Sequence, residues 1–174
     1  MKLKDKAHKF MKKIIVIGCP GSGKSTFSRA LHDLTGIPLF HLDMMYWNED
    51  RTRVEKDVFY ARLSNVLQKD EWIIDGDYSS TMEWRMGASD TIIFLDYPLE
   101  VCLQGASARV GSVRSDMPWV EKESKVDDEF SARIRNYNEE KRPCVLALLE
   151  KYSQKNIIIL NSREQATEFL KNNL

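Results

Sequence analysis

Short, nearly continuous apolar runs alternate along this chain with longer stretches in which apolar residues recur every three or four positions. The runs are KIIVIG at 13–18, PLFHLD at 38–43, WIIDGD at 72–77, DTIIFLDYP at 90–98 and NIIILNS at 156–162. They are dense in Ile, Val, Leu and Phe instead of alternating with polar residues, which is the pattern of parallel strands covered by helices on both faces. Between them lie helix patterns at 24–34, 55–69, 80–88, 99–108, 127–152 with a break or bend near Pro143, and 163–172. In the second of these, Val58, Ala61, Val66 and Leu67 mark the expected buried face. Strands alternating with helices predict one three-layer α/β domain with a five-stranded parallel sheet. No internal repeat or low-complexity linker divides it.

Composition agrees with one soluble domain: 174 residues, 43% hydrophobic and 30% charged. With 26 basic and 26 acidic residues the formal charge is zero, so no global field draws the molecule onto nucleic acid or an anionic membrane. The segment MKLKDKAHKFMKK sets a basic leader, residues 1–12, ahead of a domain at 13–174. It reads either as a solvated, frayed end or as an arm for nucleic acid or membrane, and Met11 is a plausible alternative start. Cys19, Cys102 and Cys144 are odd in number, far apart and without C-x-x-C spacing, which disfavours a disulfide framework and a zinc site and fits a reducing cytoplasm. No apolar run approaches the roughly 20 residues needed to span a bilayer.

The first predicted strand runs directly into GCPGSGKS, Gly18 to Ser25, which satisfies G-x-x-x-x-G-K-[ST] at the start of a predicted helix. Glycines permit backbone conformations closed to residues with a Cβ, so successive N–H groups can face a phosphate at the positive end of a helix. Gly18, Pro20, Gly21, Ser22, Gly23, Lys24, Ser25 and Thr26 are therefore the candidate nucleotide-binding residues. Lys24 would add a point charge on the β and γ phosphates, and the Ser25 hydroxyl would ligate Mg²⁺. Thr26 would support phosphate or packing, and Cys19 reads as a small loop residue. The loop does not choose among the GTPases, ATPases and kinases that carry it, but N-K-x-D is absent and 174 residues leave no room for a helicase core.

With GCPGSGKST, HLDMMYWN, DEWIIDGDYSSTMEWR, DTIIFLDYPLEVCL, ARVGSVRSDMPW and ARIRNYNEEKRP, the chain resembles the adenylate-kinase-like P-loop kinases over about residues 12–170. Within them it looks most like the subgroup known as DNA topology modulation (FlaR-type) proteins. The resemblance implies a P-loop fold with strand order 2-3-1-4-5, ATP and Mg²⁺ as cofactors, and phosphoryl transfer to a small-molecule acceptor such as a nucleoside or nucleotide. It casts Asp75 as the carboxylate that holds a Mg²⁺ water or fixes the P-loop. The family's Phe-Pro-Arg-Thr is replaced by Asp77-Tyr78-Ser79, so the arginine that grips an acceptor phosphate is missing. Arg85 reads either as its substitute or as a solvated helix arginine.

Asp43, expected to end the second strand, is the candidate acceptor contact, as base or as binder; the competing reading makes it a helix cap. Tyr46 and Trp47 could wall the acceptor pocket or pack in the core, and His41 reads as a packed core histidine. The resemblance further implies a short lid at about 110–126, with Arg109 at its start and Arg114 within it, and places Arg133 on the helix that follows as an arginine directed at the transferring phosphate. Arg135 and Arg142 are further candidates. The competing reading of the lid is an ordinary exposed basic loop. Asp90 and Asp96 resemble Walker B carboxylates or simply end a strand, and Asn161 and Ser162 are candidates for the adenine side.

A kinase reading takes up the phosphate loop, the arginines and the lid together. A nucleotide-binding regulator linked to DNA is the alternative, supported by the lysine-rich leader and opposed by neutral charge. A basal ATPase would leave Asp43 and the aromatic segment without a role. Monomer and homodimer are both compatible with the sequence.

Overall fold

The computed structural model describes residues 11–110, 116–118 and 128–172. Five strands form one parallel sheet in the order β2-β3-β1-β4-β5: β1 Lys13–Gly18, β2 Leu39–His41, β3 Trp72–Asp75, β4 Thr91–Leu95 and β5 Asn156–Leu160. β1 is central because it is apolar on both faces: Ile14, Ile15, Val16 and Ile17 are all fully buried. Each such side chain contributes roughly 1.5–3 kcal/mol of burial.

Helices α1 (Lys24–Thr35), α2 (Leu42–Tyr46), α3 (Lys56–Leu67), α4 (Ser79–Ala88), α5 (Leu99–Ser107), α6 (Asp128–Glu140), α7 (Arg142–Lys151) and α8 (Arg163–Asn172) complete the described elements. Two cores flank the sheet. One joins Ile14 and Val16 to Phe27 and Leu31 of α1, Cys102 of α5, Tyr137 of α6 and Ala166 of α8. The other joins Ile15 and Ile17 to Leu42 of α2, Phe59 and Leu63 of α3, Met86 of α4 and Leu149 of α7. The expected three-layer architecture and strand order are those observed.

Two local readings change, and the expected break near Pro143 is found. The second strand stops at His41, and Asp43 lies instead in the first turn of α2, because Leu42 and Met45, three apart, bury together on one helical face. On α3 the inward stripe is Phe59, Leu63, Val66 and Leu67, whereas Val58 is 42% exposed and Ala61 is also exposed. Positions i, i+4, i+7 and i+8 outcompete the stripe centred on Val58 because they place the large Phe59 ring inward. The long segment at 127–152 divides into α6 and α7 with Pro143 at the start of α7, where its missing N–H costs no intrahelical bond. The packed body also takes in Met11, which is buried, while the Lys12 carbonyl accepts from the Trp72 amide at 2.8 Å.

In a parallel sheet all carboxyl ends lie along one edge. Gly18, His41, Asp75 and Leu95 end their strands there, with Asp75 in register with both Val16 and His41. That edge carries the candidate site.

Candidate functional site

Between β1 and α1 the chain turns through Cys19 to Gly23. Gly21 and Gly23 have φ of 85° and 91°, a region that side chains with a Cβ rarely adopt. At Gly21 space is limiting as well: an added Cβ would lie 2.0 Å from the Cys102 carbonyl oxygen, so α5 presses its backbone onto the loop. The first amides of α1 have no acceptor within the helix, and the macrodipole adds positive potential beside them. Lys24 Nζ donates to the Gly18 carbonyl at 2.7 Å and to the Cys19 carbonyl at 3.1 Å, folding back over the loop. Ser25 lies in the first turn, Thr26 Oγ1 accepts from Arg29, and the buried Ser22 hydroxyl has no hydrogen-bond partner among the described residues. The arrangement is an anion cradle.

The cradle depends on a residue outside the motif. A Cβ on Gly105 of α5 would sit 2.1 Å from the Gly21 carbonyl oxygen. Gly105→Ala must therefore push α5 off the loop; we expect a stability loss of about 1–3 kcal/mol in urea unfolding and an order-of-magnitude weaker nucleotide affinity by titration.

Beside the cradle, β3 delivers Asp75, which is 3% exposed. Its Oδ1 receives His41 Nδ1 at 2.8 Å, and its buried Oδ2 has no partner among the described residues. His41 is thus not simply a packed core side chain; it orients the carboxylate. A buried carboxylate oxygen without a partner among the described residues suits Mg²⁺, which keeps several waters and takes few protein ligands. Ser25 and Asp75 are the residues that would hold it.

Asp77 follows. Burial raises its carboxyl to about 6, opposed by Lys24, Arg85, the Gly18 N–H and Lys141. Arg85, expected either in solvent or on an acceptor phosphate, is in neither place. It is fully buried on α4 and donates to the Gly76 carbonyl at 3.0 Å, the Tyr78 carbonyl at 2.9 Å and Thr81 Oγ1 at 3.2 Å. Burial lowers the guanidinium to about 10, against the pull of Asp77 and Asp75. The ends of this loop expose carbonyls inward, and the five-donor fork of Arg meets them where a solvated arginine could not. Replacing Arg85 by Met would strip those carbonyls of their donors and remove a buried positive charge that acts on Asp77 and Asp75, so we expect a loss of about 3 kcal/mol or more in urea unfolding.

The same loop presents Tyr78, whose hydroxyl donates to Asp43 Oδ1 at 2.5 Å. Burial, then the Asp43 charge, pushes the phenol far above its ordinary range, so it stays a donor; Trp47 hydrogen-bonds to it in turn. Tyr46 packs on Tyr78 with ring centroids 4.7 Å apart and meets Trp47 edge-on at 5.0 Å, while the Arg53 guanidinium lies 5.7 Å from the Trp47 ring. Tyr46 and Trp47 therefore pack around Tyr78, the partner of Asp43.

The arginines are dispersed. Arg109 follows the C-terminal end of α5, half-buried; Arg133 pairs with Glu129 on the exposed side of α6; Arg114 lies outside the described residues, as does most of the segment at 110–126. Arg142 makes two bonds of 2.8 Å to Asp96, which ends β4 at the carboxyl edge. Asp90 sits at the opposite edge and accepts the Lys12 and Lys13 amides, so it closes the strand's start. Ser162 Oγ caps the Gln165 amide and Asn161 N–H donates to Gln165 Oε1, which makes this pair a helix cap for α8. Beyond the departure at DGDYSS, no sequence signal placed Arg85 or Tyr78, and none placed Lys141 near Asp77.

No protein-family model matches the chain, and no curated protein matches it. Solved structures do. A shikimate kinase from Acinetobacter baumannii in complex with shikimate is 16% identical, with a TM-score of 0.61, covering 95% of this chain and 92% of its own. A gluconokinase from Sinorhizobium meliloti 1021 is 14% identical, with a TM-score of 0.56 and coverage of 95% and 90%. A shikimate kinase from Bacteroides thetaiotaomicron is 18% identical, with a TM-score of 0.55 and coverage of 92% and 95%. At these identities the likeness is one of fold: the five-stranded sheet of order 2-3-1-4-5 with its flanking helices is that of these P-loop kinases.

Proposed function

We propose that the protein transfers the γ-phosphoryl group of ATP to a hydroxyl of a small-molecule acceptor, within the adenylate-kinase-like P-loop kinases and nearest, on its motifs, to the FlaR-type subgroup. The observation that carries this reading is the Asp43–Tyr78 pair: a carboxylate held at 2.5 Å by the loop that follows Asp75, on the sheet edge that bears the anion cradle. A bare ATPase has no use for a second, aromatic-walled carboxylate there. The fold it shares with kinases of shikimate and gluconate supports the same choice.

Bound Mg²⁺ would neutralise phosphate charge, as in phosphoryl transfer generally. The protein's own part is positioning. The P-loop amides and Lys24 hold the phosphates; Ser25 and Asp75, the latter fixed by His41, present oxygen to the metal side. Asp43 accepts the proton of the acceptor hydroxyl as its oxygen bonds to phosphorus and the bond to the β-phosphate oxygen breaks. Tyr78 denies Asp43 the freedom to turn away. Arg109, and Arg133 after exchanging Glu129 for phosphate, would neutralise the equatorial oxygens.

ADP release measured with ATP and Mg²⁺ against nucleosides, nucleoside monophosphates, sugar acids and small polyols tests this reading. We expect at least one acceptor class to raise turnover well above the basal rate. No stimulation by any class, with ATP shown to bind, would refute it. In the regulator alternative, removal of the basic leader would lower DNA affinity, whereas we expect nucleotide binding and turnover to be unaffected by that truncation.

A further inference from the structure

Cys19 and Cys102 lie about half the chain apart in sequence, but the fold places them in one core cluster, close enough for each thiol to act on the other's ionisation. Cys19 is the second residue of the phosphate loop and Cys102 lies in α5; they are 4% and 0% exposed and belong to one core cluster. The backbones are also in contact here, since the Cys102 carbonyl oxygen lies where a Cβ on Gly21 would be. Cys102 S–H points to the Tyr97 carbonyl at 3.9 Å, and between the two thiols the electrostatics favour the proton on Cys19.

We infer that Cys19 and Cys102 are an oxidative modification site, a dithiol that hydrogen peroxide converts to a disulfide tying the phosphate loop to α5. Cys102 is the first nucleophile. Its thiol is drawn below the ordinary range by the neighbouring Cys19 and, against burial, by the charges of Lys24 and Arg163. The Cys19 thiol is pushed far up, chiefly by the neighbouring Cys102 and by burial. Cys102 thiolate attacks one peroxide oxygen and hydroxide leaves, giving a sulfenic acid. Cys19 sulfur then attacks Cys102 Sγ, the S–OH bond breaks, and the Cys19 proton leaves with it as water. The two thiols are together oxidised by two electrons and one peroxide is reduced to two waters. Only a small oxidant suits thiols so little exposed, which separates this pair from Cys144, exposed on α7.

Function enters through Cys19. Its carbonyl accepts Lys24 Nζ at 3.1 Å, and the Ser22 amide donates to it at 3.1 Å. A covalent S–S bond of about 2 Å in place of thiol contact pulls this residue toward α5 and removes the loop's latitude to close its amides on phosphate. The consequence for nucleotide affinity rests on the reading of this loop as the nucleotide site; the cross-link itself does not.

The test treats the full-length protein with hydrogen peroxide, blocks remaining thiols with N-ethylmaleimide and maps peptides by mass spectrometry, with titration of a fluorescent ATP analogue before and after. We expect a Cys19–Cys102 cross-linked peptide, affinity weakened by about tenfold or more, and recovery on adding dithiothreitol. Cys102→Ser should form no such peptide and retain affinity after peroxide, and Cys144→Ser should behave as wild type. Recovery of Cys19 and Cys102 as free thiols, or as sulfinic acids without a cross-link, overturns the site; a cross-link with unchanged affinity overturns the lock. A protein that binds no nucleotide before peroxide refutes the nucleotide reading and the lock with it, while the mass spectrum still decides the cross-link.

Discussion

Lys24→Met will abolish acceptor phosphorylation, lowering turnover by about 10²- to 10³-fold or more, the scale on which removing one preorganised charge-stabilising donor acts. Lys24 is the residue of the loop whose side chain bonds back to its own carbonyls, at Gly18 and Cys19, and contributes nothing to either core. Its ammonium is half-buried at the start of α1, and Met keeps the stem while removing the charge. Thermal unfolding should shift little, because two hydrogen bonds of this kind contribute about 1–3 kcal/mol together at most. Steady-state ADP release and circular dichroism melts on the same sample separate the two effects. Wild-type turnover in Lys24→Met would remove the phosphate loop from the chemistry.

Asp43→Asn is the second large effect. Asn keeps the shape and can still accept from Tyr78, but it cannot take a proton at neutral pH, so kcat should fall by about 10²- to 10⁴-fold, the range for a positioned general base. The KM for ATP should change little, because Asp43 belongs to the aromatic cluster of Tyr46, Trp47 and Tyr78 and not to the cradle. Tyr78→Phe provides the internal comparison: the base survives but loses its tether, and a smaller fall in kcat, about tenfold, is expected. Equal losses in the two variants would make Asp43 a structural partner of Tyr78 instead of the base.

The sheet was legible because its strands are apolar on both faces, a pattern that solvent-exposed segments do not carry; Ile14 to Ile17 alone identify a central strand. The phosphate loop was legible because its requirement is on the backbone, and only glycine meets φ near 90° at Gly21 and Gly23. The remainder of the site is built by contacts between distant segments. Nothing local to HLDMMYW distinguishes a strand end from a helical turn until Leu42 and Met45 find the second core. Arg85 has the surroundings of a surface helix in the sequence, with Glu83 and Trp84 before it, yet its address is set by the Gly76 and Tyr78 carbonyls. Pairings such as Asp96 with Arg142, Asp75 with His41 and Cys19 with Cys102 likewise join positions that no spacing rule connects.

The central claim is that phosphate is passed to an organic hydroxyl and not released to water. It is tested most directly by incubating the protein with γ-labelled ATP, Mg²⁺ and a pooled set of hydroxyl acceptors, then separating labelled organic phosphate from inorganic phosphate. The account predicts label in an organic phosphate ester, dependent on the acceptor pool and lost in Asp43→Asn. Label appearing in inorganic phosphate alone, at a rate indifferent to the pool, would contradict it.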